Sequence, residues 1–258
     1  MRAYSVLGNI ALVNFPRDFK GSKKKFANEI IKKNKSINTV LEKSGKFSGR
    51  LRKLHTKWLA GEKNKEVLYK ENGCVFRFNI DTSYFSPRLS GERKEIAEKI
   101  NPNEEVLVMF AGVAPFSIVI AKNSSAKKVY SNEINKEANK YGKLNVELNK
   151  LKNKIEFLDG DIKRIALKLK KQNKKFDVIV MPRPQLKDSF LEQAFMLSKK
   201  STRIYYYDFC KEYEVNLIVE KIKQEAEKAK KKIQIFQTKY AGEIAPYKNR
   251  VRVDFNVL

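Results

Sequence analysis

Apolar and polar positions divide this chain into a first stretch of mixed periodicity and a second in which strand-like and helix-like segments alternate. Between Val6 and Phe15 an apolar run is punctuated by Gly8-Asn9 and stopped by Pro16, the pattern of a short hairpin. Lys23–Leu41 has helical spacing at Phe26, Ile30, Ile31 and Ile37, interrupted by the polar Lys33–Ser36. Glu66–Tyr69 and Cys74–Ile80 flank Asn72-Gly73, a dipeptide that favours the backbone of a tight two-residue hairpin turn. Cys74, Phe76, Phe78 and Ile80 alternate with Val75, Arg77 and Asn79, which predicts one buried face. Residues 1–90 therefore read as a small α+β unit, with the division falling near Tyr84 to Ala97.

From there to the end the pattern is α/β. Strands are expected at Glu105–Met109, Lys128–Ser131, Ile155–Leu158, Asp177–Met181, Arg203–Asp208, Ile233–Lys239 and Val251–Asn256. Helices are expected at Glu92–Ile100, Phe116–Lys122, Lys136–Asn149, Lys163–Lys171, Asp188–Leu197 and Glu212–Lys231. The last two strands follow one another without a helix, which predicts an antiparallel pair closing the edge of a mostly parallel sheet. Residues 91–258 thus read as a Rossmann-like domain, and the chain shows no internal repeat.

Charge narrows the partner. A formal net charge of +26 on 258 residues suits a polyanion, although most of the 55 basic residues are lysine, whose runs also fit solvated faces. The two cysteines are far apart and the single histidine, His55, sits in a basic, polar segment as an ordinary surface residue would. This argues against a zinc site or a disulfide framework. No run spans a bilayer and Met1–Val13 is strand-like rather than a secretory signal, so a soluble cytoplasmic protein is expected.

The chemistry concentrates between Asp81 and Glu133. An apolar run, Val106–Phe110, leads through Ala111-Gly112-Val113-Ala114 into a helix start, and a second run ends about twenty residues on in an acid, Glu133. That spacing builds a nucleoside crevice, in which Glu133 accepts ribose hydroxyls or is simply a surface acid among lysines. Gly160-Asp161 follows the third strand; Asp161 suits an adenine amino group and, equally, a helix N-cap. Phe110 to Val113 offer backbone amides, or only a tight turn. Glu92 is a first-turn acid favoured by the helix dipole, and also a candidate proton acceptor beside the crevice. Arg52, Arg88 and Arg93 stand out in a lysine-rich chain because the planar guanidinium suits phosphates, carboxylates and carbonyl oxygens. Arg250 and Arg252, in the expected edge strand, read as surface or RNA-backbone contacts.

Leu59–Glu62, Lys70–Gly73, Tyr84–Arg93, Met109–Ile118 and the closing Tyr240-Ala241, Ala245–Tyr247 and Asp254-Phe255 occur in an order that resembles one family over nearly the whole chain. It is the archaeal and eukaryotic type of tRNA (guanine-37-N1)-methyltransferase, a class I methyltransferase using S-adenosylmethionine. The resemblance implies that Arg52 steadies the guanine O6 and that Glu92 takes the N1 proton. It implies a methyl-donor pocket lined by Tyr84, Arg93, Phe110, Ala111, Gly112, Val113, Glu133, Ile134, Gly160, Asp161, Val180 and Pro182, with Arg88 and Arg183 contacting substrate. The implied partner is the anticodon stem-loop of tRNA.

Three positions depart from that pattern. Val108 stands where the family has an acid at the end of the first strand, and Ala114 where it has a second glycine. The Asn-Leu-Pro motif after the fourth strand reads Val180-Met181-Pro182. The chain also starts at what resembles the family's middle domain, without the domain that some members place on the tRNA elbow. Three functions compete: N1 methylation of guanosine 37, C7 methylation of a tricyclic wyosine precursor at the same position, and RNA binding by a decayed enzyme. Retention of Arg52, Glu92, Glu133 and Asp161 favours activity. A Rossmann dehydrogenase is disfavoured because the turn lacks GxGxxG.

Overall fold

The computed structural model describes residues 4–16, 18–45, 49, 51, 53–211 and 214–258. The opening run folds as the expected hairpin of β1 (Tyr4–Leu7) and β2 (Ile10–Val13). Gly8 turns between them at φ +57°, and a Cβ there would lie 1.9 Å from the Leu68 carbonyl oxygen, so only glycine satisfies both the turn and the close approach. Helix α1 (Lys23–Lys33) begins at Ser22, whose side chain accepts from the Lys25 N–H, and ends at Asn34. The rest of the stretch expected to be helical is β3 (Thr39–Lys43), parallel to β2 and paired on its other side with β4 (Thr56–Gly61). The β-branched Thr39-Val40 pair favours extended backbone there, and β3 has a neighbouring strand on either side in the four-stranded sheet. Ile37 and Leu41 keep helical spacing only because loop and strand each turn one side chain into a core.

A second hairpin, β5 (Glu66–Glu71) and β6 (Cys74–Asn79), turns at Asn72 (φ 48°) and Gly73 (φ 71°) as predicted. Cys74, Phe76, Phe78 and Ile80 are buried, and each full burial of a side chain like Phe76 contributes roughly 1.5–3 kcal/mol.

One turn of 3-10 helix (Pro87–Leu89) and α2 (Ser90–Glu98) open the larger part. Then follow β7 (Glu105–Val108), α3 (Pro115–Asn123), β8 (Lys128–Glu133), α4 (Lys136–Leu148), β9 (Ile155–Asp159), α5 (Ile162–Lys171) and β10 (Phe176–Met181). The chain closes with α6 (Leu191–Leu197), β11 (Ser198–Lys211), α7 (Val215–Lys228), β12 (Ile233–Ala245) and β13 (Lys248–Val257). Seven strands lie in the order β12-β13-β11-β10-β7-β8-β9, parallel from β11 to β9. The order reverses between β7 and β10, and a crevice opens beyond the ends of those strands.

The antiparallel pair at the end is present, but β13 inserts between β11 and β12 and is an interior strand. Arg250 and Arg252 are therefore not on an edge. Arg252 is fully buried and Arg250 nearly so, which overturns the surface reading of both.

The expected break near residue 90 is crossed by a continuous core. Leu12, Leu41, Phe76, Phe78 and Phe85 belong to one apolar cluster with Val106, Val108, Ile118 and Tyr207. Helix α4 also docks the second hairpin. Asn149 accepts from the Val75 N–H at 3.0 Å and donates to the Val75 carbonyl at 2.7 Å, and Asn145 accepts from the Arg77 N–H at 2.7 Å. These side chains supply the partners that backbone groups of β6 would otherwise lack. The opposite face of the large sheet is covered by α5, α6 and α7.

Candidate active site

A cavity of about 970 Å³ lies over the crevice, with walls from both parts of the chain. At one end are Phe110, Gly112, Glu133, Ile134, Gly160, Asp161 and Ile162. At the other are Arg88, Pro182, Arg183, Phe209, Lys248 and Arg250, and Asn14, Lys43, Leu51 and Leu54 reach it from the first part.

Glu133 organises the first end. One carboxylate oxygen accepts from the Gly112 N–H at 2.8 Å; the other accepts from Ile134 and Asn135 N–H at 2.9 and 2.8 Å. A carboxylate offers about four acceptor sites, so one remains on the oxygen shared with Gly112. Burial pushes the Glu133 pKa up, and the three backbone donors pull it only part of the way back. The Ala111 N–H is also spent, on the Asn132 carbonyl at 2.8 Å. The amides of Ala111 and Gly112 thus fasten the turn rather than face a ligand. Phe110, Gly112 and Ala114 all adopt positive φ (58°, 58° and 65°). In the left-handed region alanine is disfavoured relative to glycine, which is what the departure at Ala114 costs.

Asn132 donates to the carbonyls of Leu158 and Gly160 at 2.6 and 3.0 Å, holding the ends of β8 and β9 together. Asp161 caps α5 through the Lys163 N–H at 3.0 Å and also lines the cavity, so its two readings coexist. Phe110, Ile134, Ile162 and Phe190 supply apolar walls, with the Phe110 and Phe190 rings 4.9 Å apart, edge to face. One open carboxylate acceptor, a second acid and apolar faces fit a ribose carrying a purine.

Asn135 joins this end to the first part. Its carbonyl caps α4, and its amide donates to the carbonyls of Thr82 and Leu51 at 2.8 and 3.3 Å. Leu51 precedes Arg52, which itself lies outside the described residues.

Other expected site residues are elsewhere. Arg93 is buried behind the wall, where it pairs with both carboxylate oxygens of Glu71 at 2.5 and 2.7 Å and donates to the Ser86 carbonyl. It packs over Phe85 and Phe116, so it rivets the second hairpin to α2 and α3 instead of lining the donor pocket. Ala111, Val113 and Val180 are buried and do not line the cavity. β10 runs through Met181, so Val180 and Met181 belong to the strand and the residues that follow it are Pro182-Arg183-Pro184. Arg183 lines the cavity, yet its guanidinium pairs with Asp208 and donates to the carbonyls of Leu186 and Asp188 at 2.6 and 2.9 Å. It fixes the loop after β10, and its Nε has no partner among the described residues.

Glu92 is buried and is not on the cavity wall. One oxygen accepts from Tyr207 Oη at 2.9 Å and Arg252 Nη1 at 2.6 Å; the other faces Lys239 Nζ at 2.8 Å. Arg252 also holds Asp254 at 2.7 and 2.9 Å and Glu95 at 2.6 Å. Burial and then the Glu92 charge hold the Tyr207 pKa well up. Burial raises Glu95 too, but hydrogen bonds from Arg252, Lys239 and Lys99 outweigh it and keep that carboxylate well below its usual range. Asn14, Lys43, Asn132, Asn135, Ile162, Phe190, Phe209 and Lys248 are among the wall residues that sequence reasoning missed. Of these, only Asn135 carried a signal, as an asparagine directly before a helix start.

The strand order, with antiparallel β13 inserted beside the parallel strands and a cavity over the switch point, has the form of a methyltransferase of the Rossmann-like class. Residues 67–235 match the model of the TRM5/TYW2 methyltransferase domain, and residues 1–64 match that of the TYW2 N-terminal domain. The chain belongs to the TRM5/TYW2 methyltransferase family. It is 32% identical over 256 residues to the tRNA (guanine(37)-N(1))-methyltransferase Trm5b of Pyrococcus abyssi, covering 99% of this chain and 74% of that protein. It is 31% identical over 303 residues to the tRNA (guanine(37)-N(1))/4-demethylwyosine(37)-methyltransferase Taw22 of Nanoarchaeum equitans, covering 99% of this chain and all of the other. The crystal structure of M. jannaschii TYW2 in complex with AdoMet superposes with a TM-score of 0.75 at 26% identity, over 98% of each chain.

Proposed function

We propose that this protein methylates N1 of guanosine 37 in tRNA, with S-adenosylmethionine as donor. The observation that carries the reading is one cavity with acids at its nucleoside end and cations at the other, bounded by the first part of the chain. The donor supplies an electrophilic methyl group on a sulfonium sulfur. Glu133 would hold its ribose through the one open acceptor site, Asp161 would meet the adenine amino group, and Phe110, Ile134 and Phe190 would flank the base. Excluding water from these apolar faces strengthens every polar contact there.

Guanine N1 carries a proton, so a base must take it while a cation supports the charge that builds on O6. Glu92 is the proposed acceptor. It stands in the first turn of α2, three residues after Leu89 of the cavity wall. To accept the proton its side chain must leave Arg252 and Lys239. Arg52 is the proposed O6 partner; it follows Leu51, whose carbonyl Asn135 holds.

A second reading is C7 methylation of a wyosine precursor at the same nucleotide. It is supported by the match of residues 1–64 to the TYW2 N-terminal domain and by the relative named for both activities. Labelled S-adenosylmethionine, tRNA transcripts bearing guanosine or adenosine at position 37, and nucleoside analysis of the product test the first reading. Labelled 1-methylguanosine from the guanosine transcript alone is expected. Product formed only on tRNA carrying the tricyclic precursor would replace it with the second, and RNA binding without any product would mean a decayed enzyme.

A further inference from the structure

Arg250 and Arg252 share one face of β13, yet their surroundings are opposite. Arg252 is ringed by Glu92, Glu95 and Asp254. Arg250 is only 8% exposed, and its side chain has no hydrogen bond or ion pair to any described residue. Its guanidinium lies over the ring of Phe209, 5.3 Å from the centroid, and Phe209 is its direct cross-strand partner. An aromatic face orients a guanidinium and leaves the donors at its edge open, here toward the cavity that Arg250 lines. A cation oriented at the wall of a cavity, with no acid of the chain beside it, is free to take an anion from outside.

The neighbours add positive charge. Two residues along the same face, Lys248 stands directly opposite Lys211, a like-charge cross-strand pair of the kind that is ordinarily avoided. At the same end of the cavity, Arg88 donates to the Glu243 carbonyl at 3.1 Å and has no carboxylate partner among the described residues. Glu243 itself lies opposite Asn249, on the alternate face of the strand. The acids of the cavity wall, Glu133 and Asp161, are at the nucleoside end.

We propose that Arg250, with Lys248 beside it, seats a backbone phosphate of the RNA strand next to the nucleotide that enters the cavity. The site rests on the reading of the chain as an RNA methyltransferase. A phosphate offers several charged acceptor oxygens, which answer the edge donors of Arg250 and relieve the repulsion between the lysines. Because Phe209 holds the guanidinium flat, the phosphate is fixed in position as well as attracted. The target base is then delivered toward the donor end in one register.

The test uses the full chain and a synthetic anticodon stem-loop with guanosine at position 37, its phosphates intact or replaced by an uncharged methylphosphonate on one side of that nucleotide. Arg250→Gln should weaken binding about tenfold and lower the slope of log K against log salt by about one. Arg250→Lys should retain most of the affinity, because a phosphate accepts a point charge. On unaltered protein one of the two methylphosphonates should cost as much as Arg250→Gln, and on the Gln variant it should cost nothing more. Lys248→Gln, at a more exposed position, should show the same coupling more weakly and covers the case in which Arg250→Gln fails to fold. Additive losses or an unchanged salt slope would overturn the phosphate seat, as would a Lys variant as weak as Gln. The last would point to a base edge instead. These arms read binding alone, so a protein that shows the coupling but transfers no methyl group would fail the enzymatic reading and keep this one.

Discussion

At the residue scale two carboxylates divide the work. Glu133 has a raised pKa because burial outweighs its three backbone donors. A ligand hydroxyl donating to the ionised form lowers that pKa again, so linkage makes donor affinity fall as pH falls through the raised value. The loss should begin above the range where an ordinary glutamate titrates, about 4.3. Titration calorimetry with S-adenosylmethionine across mildly acidic pH checks this. Glu133→Gln should bind weakly and with little pH dependence, and a wild-type affinity that stays flat through that range would move the ribose elsewhere. Glu92→Gln poses a different question, because this carboxylate is both ion-paired and the proposed proton acceptor. The amide cannot accept a proton, so single-turnover methylation at saturating tRNA should slow on the order of a hundredfold or more. The melting temperature should also drop, since Arg252 loses one of its three acid partners. A drop in melting temperature with an unchanged single-turnover rate would leave Glu92 a purely structural acid.

At the element scale the second hairpin and α4 act as one piece. Asn145 is fully buried, accepts from the Arg77 N–H of the hairpin at 2.7 Å and donates to the Val113 carbonyl of the glycine turn at 3.2 Å. Asn145→Ala strands a buried donor and a buried acceptor, each worth roughly 1–3 kcal/mol. Urea unfolding should show a lower midpoint with an unchanged slope, and donor affinity should weaken because the turn loses a support. An unchanged midpoint would mean that the hairpin docks by apolar contact alone. The hairpin itself was legible in the sequence, because Asn72-Gly73 and the flanking alternation point the same way. The docking was not, since nothing in the sequence spacing of Asn145 and Asn149 names β6 as their partner. The same limit applied to β3. A helical period and a strand that begins after a polar break can place the same apolar residues, and only sheet pairing decides between them.

For the whole molecule, the net charge of +26 is spread widely. If that excess faces RNA phosphates, tRNA affinity should fall steeply with salt, with log K linear in log salt. Filter binding over a salt series measures it, and a nearly flat line would return the lysines to a solvated surface.

What the sequence alone determined is local or periodic. Alternation, glycine turns and caps laid out the parallel strands and most helices, and strand ends placed Glu133, Gly160 and Asp161 on the crevice rim. These depend on interactions within a few residues, or on a period that a single face imposes. Tertiary structure decided which charges meet. Glu92 and Arg252 are 160 residues apart and Arg93 pairs with Glu71 across 22, so no local signal marks either pair. The insertion of β13 between β11 and β12 took two arginines from a supposed edge into the interior. There one of them was neutralised by acids from other elements. The other was left facing the cavity, because burial and partnership are properties of the packed sheet and not of the strand.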